Sequence, residues 1–120
     1  MLARIARTAL ALAAAALFLL PLERASPAEA TDSASRVHEV TIKGMEFVPA
    51  TLEVSVGDTI EWVNEDLVPH TATAIRDGRT LFDSGVFPAK ASWRYVASEA
   101  GSFPYVCLLH PTMKGKLIVR

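Results

Sequence analysis

The chain of 120 residues has one cysteine, three methionines, three histidines, two tryptophans and two tyrosines. A single cysteine excludes an intramolecular disulfide, the usual staple of a small domain in an oxidising compartment. Charge of neither sign dominates, with 12 Lys+Arg against 13 Asp+Glu. No Lys/Arg cluster or basic stripe occurs, so nucleic acid is not an expected partner. No apolar pattern of helical period lasts three turns, which argues against long helices. The longest unbroken apolar run, residues 9–20, falls short of the ~20 residues that span a bilayer.

What is present at the N-terminus reads as an export signal. Arg4 and Arg7 form a positive start, residues 9–20 an apolar middle, and Ser26-Pro27-Ala28 and Ala28-Glu29-Ala30 offer small residues to a signal peptidase. Residues 1–30 are therefore expected to be a cleaved secretory signal peptide, cut after Ala28 or Ala30. The two arginines are not adjacent, so general secretion is favoured over the twin-arginine route. The small polar residues 31–36 read as a flexible leader, and residues 37–120 as one domain in the periplasm. In an exported chain a lone thiol either pairs with another molecule or is specialised and protected.

Short apolar alternations broken by turn residues fill that domain. Val40 and Ile42, Leu52, Val54 and Val56, Ile60 and Trp62, Thr71, Thr73 and Ile75, and Trp93 and Tyr95 each share one face of a strand. Gly44, Gly57-Asp58, Asn64-Glu65-Asp66 and Asp77-Gly78 punctuate them. Phe103, Tyr105 and Cys107 alternate in the same way, which sets the thiol on an inward face behind two aromatics. Leu117 and Val119 close the chain. The pattern predicts an all-β fold, a Greek-key β-sandwich of seven to eight strands.

The chemistry concentrates in Cys107-Leu108-Leu109-His110-Pro111-Thr112-Met113. A thiolate, an imidazole and a thioether follow one another with two residues between each, and a second imidazole, His70, stands upstream after Pro69. One Cys and two His in a plane with a weak axial Met is the donor set of a blue copper centre. Zinc sites usually close with four Cys or His donors, and a thioether suits Zn(II) poorly. The candidate metal ligands are thus His70, Cys107, His110 and Met113. Taken singly, Cys107 could be an inert buried thiol, His70 and His110 loop histidines, and Met113 core. Two-residue spacers let the three later side chains turn toward one point, and Gly115 relieves crowding where the chain re-enters the sheet. Trp62 and Trp93 read as core aromatics, Glu65 and Asp66 as a solvated turn, and His38 as an exposed residue outside the cluster.

Three segments carry a family resemblance: Val68-Pro69-His70-Thr71, Gly101-Ser-Phe-Pro-Tyr-Val-Cys107, and Cys107-x₂-His110-Pro-x-Met113-Lys-Gly115-Lys. Together with Phe47-x-Pro49, Val54-x-Val56-Gly57-Asp58-Thr59 and Trp62-x-Asn64 they resemble the cupredoxins from about Val37 to Arg120. The small amicyanin, plastocyanin and pseudoazurin type fits best, and the short ligand loop is most like amicyanin. The resemblance implies a sandwich with one type 1 copper ion at its loop-rich end, His70, Cys107 and His110 equatorial and Met113 axial. It implies no enzyme but a monomeric carrier of single electrons between larger redox proteins, such as a dehydrogenase, cytochrome or oxidase. Docking would be at an apolar patch around His110 formed by Val68, Pro69, Leu109, Pro111 and Met45. One position departs from the pattern: plastocyanin-like members usually carry Asn after the first ligand histidine, bracing the ligand loop, and here Thr71 stands there with a shorter reach. The alternatives are a copper chaperone or buffer, an oxidase or nitrite reductase, and a metal-free sandwich with a buried thiol.

Overall fold

The structure, a computed structural model, describes residues 9, 11–19, 21–23 and 34–120. The expected cleavage after Ala28 or Ala30, and residues 31–33 of the expected leader, lie outside the described residues. By contacts the chain divides into two units, Met1–Thr31 and Asp32–Arg120. The described part of the first has no regular structure and exposes Leu12, Leu17, Phe18, Leu19 and Leu22. Among the described residues, no helix is long and apolar enough to cross a membrane.

The second unit is built from nine strands: β1 Val37–Lys43, β2 Glu46–Val48, β3 Thr51–Val54, β4 Thr59–Asn64, β5 Thr73–Arg76, β6 Arg79–Asp83, β7 Ser92–Val96, β8 Gly101–Val106 and β9 Lys114–Val119. They form a four-stranded sheet in the order β2-β1-β4-β7 and a five-stranded sheet in the order β3-β9-β8-β5-β6. The β1–β4 and β3–β9 pairs are parallel, and the others antiparallel. The all-β sandwich is as the alternation predicts; the count exceeds seven to eight because of two elements. β2 has three residues, too few to show a period. β6 sets Leu81 beside Phe82 and pairs with β5 across a register shift at Ala74/Ile75, so its alternation is blurred. Asp77 and Gly78, both left-handed (φ 50° and 73°), make the tight turn between β5 and β6.

Every second residue of β4 points inward, which buries Ile60, Trp62 and Asn64. Trp62, wholly buried, lies at the centre of an aromatic cluster, with ring centroids of Trp93, Tyr105 and Phe82 at 5.4, 5.5 and 5.6 Å. Phe47 closes edge-on over Tyr105 at 4.8 Å. Truncating an aromatic so placed typically costs about 3–5 kcal/mol. Phe103 and Tyr105 face this core from β8, and Cys107 follows them on the same side, with no exposed surface. Tyr105 lies opposite Gly115 of β9. A Cβ on Gly115 would overlap the tyrosine ring, so the bare backbone lets β9 press against the aromatic that leads into the thiol.

Candidate metal centre

Two connections at one end of the sandwich supply the candidate ligands. The link from β4 to β5 carries His70, whose backbone exchanges hydrogen bonds with Phe87, N to O at 3.2 and 3.0 Å. This lone bridge fixes the residue on both sides, and its ring is completely buried. The second connection runs from β8 to β9. There the Cys107 carbonyl accepts from the His110 N–H (3.2 Å), the His110 carbonyl accepts from the Met113 N–H (2.8 Å), and the Cys107 N–H donates to the Met113 carbonyl (3.1 Å). The two-residue spacers thus become two successive turns, and each candidate ligand is a node of the hydrogen bonds that close the loop.

The side chains converge. Cys107 Sγ lies 3.7 Å from His70 Nδ1 and 3.8 Å from His110 Nδ1. The three donor atoms are all within 4.8 Å of one another, and the two imidazoles meet edge-on with centroids 5.1 Å apart. Bonds of about 2.3 Å to a thiolate and about 2.0 Å to an imidazole, opened to about 120°, separate S from N by about 3.7 Å. The observed spacings therefore fit one first-row ion shared by three donors. Met113, next in the same loop, is buried. His110 alone of the four is partly exposed.

Thr71 braces the centre. Its backbone N–H donates to Cys107 Sγ at 3.3 Å, and its hydroxyl oxygen accepts from the Leu108 N–H at 2.9 Å. The Thr73 hydroxyl donates to Asp83 Oδ1 (3.0 Å), so in its 3.0 Å contact with Thr71 it must accept. The result is a directed chain from Leu108 through both threonines to Asp83. The short reach of the Thr71 hydroxyl is thus enough to brace the ligand loop.

Asn64 and Asp66 were not legible as parts of the site. Asp66, read as a solvated turn, holds His70 Nε2 at 2.9 Å through Oδ2, and its side chain is only 14 % exposed. The same carboxylate accepts the N–H groups of Gly44 (2.7 Å, Oδ1) and Met45 (3.0 Å, Oδ2) from the turn between β1 and β2. Burial raises its pKa, but hydrogen bonds from Met45, the His70 ring and Gly44 outweigh that and hold it below the ordinary carboxylate value. Buried Asn64 accepts the Asp66 N–H at 3.0 Å and donates to the Val68 carbonyl at 2.9 Å, shaping the approach to His70. The available signal was the four-residue step from Asp66 to His70, but in sequence nothing brings Gly44 and Met45 to it. His38, expected to be exposed, is half-buried near the start of β1. It pairs there with Asp58 at 2.9 Å.

Two β-sheets with a Cys/His cluster on the β4–β5 and β8–β9 connections define a class. Residues 9–119 match the family model of the cupredoxin-like domain, and the chain belongs to that family. It is similar to amicyanin of Paracoccus denitrificans, 30% identical over 96 residues, which span 78% of this chain and 73% of that protein. Among solved structures, a Cu(I) form of an amicyanin variant superposes with a TM-score of 0.66 at 28% identity, covering 70% of this chain and 82% of that one. A copper-containing nitrite reductase from Thermus scotoductus SA-01 gives 0.62 at 30% identity, covering 68% of this chain but 22% of the enzyme.

Proposed function

We propose that this protein is a type 1 copper electron carrier, with His70, Cys107 and His110 as equatorial ligands and Met113 as the axial one. The observation that carries this reading is the Cys107 sulfur set 3.7 and 3.8 Å from two imidazole Nδ1 atoms. Kinship with amicyanin supports it. Bound there, copper supplies a Cu(I)/Cu(II) couple. The protein's own part is to hold soft and borderline donors in one arrangement, so that little moves when an electron arrives or leaves. Buried His70 and Cys107 keep water and oxidants away. The partly exposed ring of His110 offers an edge through which an electron can pass.

The connections that carry His70 and His110 expose Leu67, Val68, Leu108 and Leu109, and the β1–β2 turn exposes Met45. An apolar patch of this kind suits brief docking to a larger redox protein, since such encounters use small interfaces. The export signal expected in residues 1–30 supports the periplasm as the site of this exchange.

Copper delivery is the competing role. A chaperone releases its ion to an acceptor, whereas a completely buried thiolate and imidazole, each held by further hydrogen bonds, favour retention. An enzymatic role is less well supported, because the nitrite reductase match covers only 22% of that enzyme.

The deciding experiment adds one equivalent of Cu(II) to the protein and records visible and EPR spectra. Intense blue absorption with narrow copper hyperfine splitting is expected, and Cys107→Ala abolishes both while the sandwich still folds. An unchanged spectrum in that variant refutes thiolate ligation. Rapid loss of copper to a Cu(I) chelator through redox cycling would move delivery ahead of electron transfer.

A further inference from the structure

We propose that Asp66 is the positioning residue of the centre, fixing which nitrogen of His70 faces the metal and strengthening that nitrogen as a donor. The inference rests on the ligand set proposed above and adds a residue that set does not contain.

An imidazole can ligate through one nitrogen only if that nitrogen bears a lone pair, and the partner of the other nitrogen decides which it is. In His70 the two nitrogens face different surroundings. Nδ1 points at Cys107 Sγ, 3.7 Å away, while Nε2 lies 2.9 Å from Asp66 Oδ2. An ionised carboxylate can only accept, so in the neutral ring Nε2 carries the proton and Nδ1 keeps its lone pair on the side of the thiol. The ring is completely buried, so no water competes for either position.

The carboxylate is itself held. Gly44 and Met45 both adopt left-handed backbone conformations, φ 61° and 63°. Successive N–H groups turned in this way form an anion-binding concavity, and both donate to Asp66, at 2.7 and 3.0 Å. Left-handed backbone is unfavourable for a residue with a side chain such as Met45, and the hydrogen bond to Asp66 opposes that cost. Asn64 anchors the Asp66 backbone at 3.0 Å. Asp66 therefore joins three segments, the β1–β2 turn, the end of β4 and the histidine, by contacts made entirely within the protein.

A negative acceptor on the far nitrogen makes the near nitrogen more basic, and this favours the more highly charged Cu(II) over Cu(I). Asp66→Asn, similar in shape and neutral, should weaken Cu(II) binding about ten- to a hundredfold and Cu(I) binding less. Each tenfold difference between the two raises the one-electron potential by about 59 mV. Asp66→Glu restores a carboxylate and should bring the potential back toward the original value.

The test has two arms. In the first, long-range ¹⁵N spectra of the metal-free protein show His70 as a single Nε2–H form, and Asp66→Asn shows a mixture. In the second, the potentials of the copper-loaded protein, Asp66→Asn and Asp66→Glu are compared. A raised potential in Asp66→Asn, reversed in Asp66→Glu, supports the proposal. An unaltered potential and an unaltered His70 form in Asp66→Asn overturn it, even if thermal stability falls, because the carboxylate would then only brace the turn. Should the unmutated protein show no blue copper spectrum, the ligand assignment itself has failed, and the metal-free spectra alone decide whether Asp66 sets the His70 proton.

Discussion

At the scale of single residues, the candidate centre depends on groups outside its four candidate ligands. Thr71 illustrates how a shorter side chain can take over a longer one's task, because Thr73 and Asp83 orient its hydroxyl so that the oxygen faces Leu108. Thr71→Val removes that acceptor and leaves a part-buried N–H without a partner, which typically costs about 1–3 kcal/mol. The variant should unfold at lower denaturant, with faster amide exchange at Leu108; unchanged exchange there would show that the threonine does not brace the loop. The convergence of His70, Cys107 and His110 could be anticipated in the sequence because their spacing maps onto a turn of one loop and a proline-marked entry. Asp66 could not. Its role depends on two N–H groups more than twenty residues away, a closeness that exists only once β1 and β4 pair.

At the scale of elements, the alternation Phe103-Tyr105-Cys107 was readable because β8 is inward-facing at every second residue and carries no bulge. β2 and β6 were not, the first for its brevity and the second for two adjacent apolar residues. Sheet order was equally hidden, since the parallel β1–β4 and β3–β9 pairs join strands that are not neighbours in sequence. One cross-strand contact carries much of the packing near the site. Gly115 faces Tyr105 with no room for a methyl group. Gly115→Ala should therefore push β9 or the ring aside at a cost of about 1–3 kcal/mol, read as a lowered unfolding midpoint. A neutral result would mean that the strand yields easily and that the glycine is not a packing requirement.

For the whole molecule, the core that supports the centre also limits its tolerance of alkali. Burial pushes the Tyr105 hydroxyl up from 10.0 to about 12. An acid whose folded pKa is raised ionises first in the unfolded chain, so its stabilising effect is complete below pH 10 and is lost as pH climbs toward about 12. At about 1.4 kcal/mol per pH unit, the loss amounts to about 3 kcal/mol. Thermal midpoints of the metal-free protein should fall over that interval, and less steeply in Tyr105→Phe; equal slopes would exclude the phenol as the cause. The closed ligand loop has a different consequence, in the order of events during biogenesis. Its three hydrogen bonds join Cys107, His110 and Met113 backbone to backbone, and Asp66 ties His70 to the turn between β1 and β2. None of these contacts requires an ion. The polypeptide can therefore reach its final shape first and acquire copper later, as a finished receptacle whose filling is governed by supply rather than by folding.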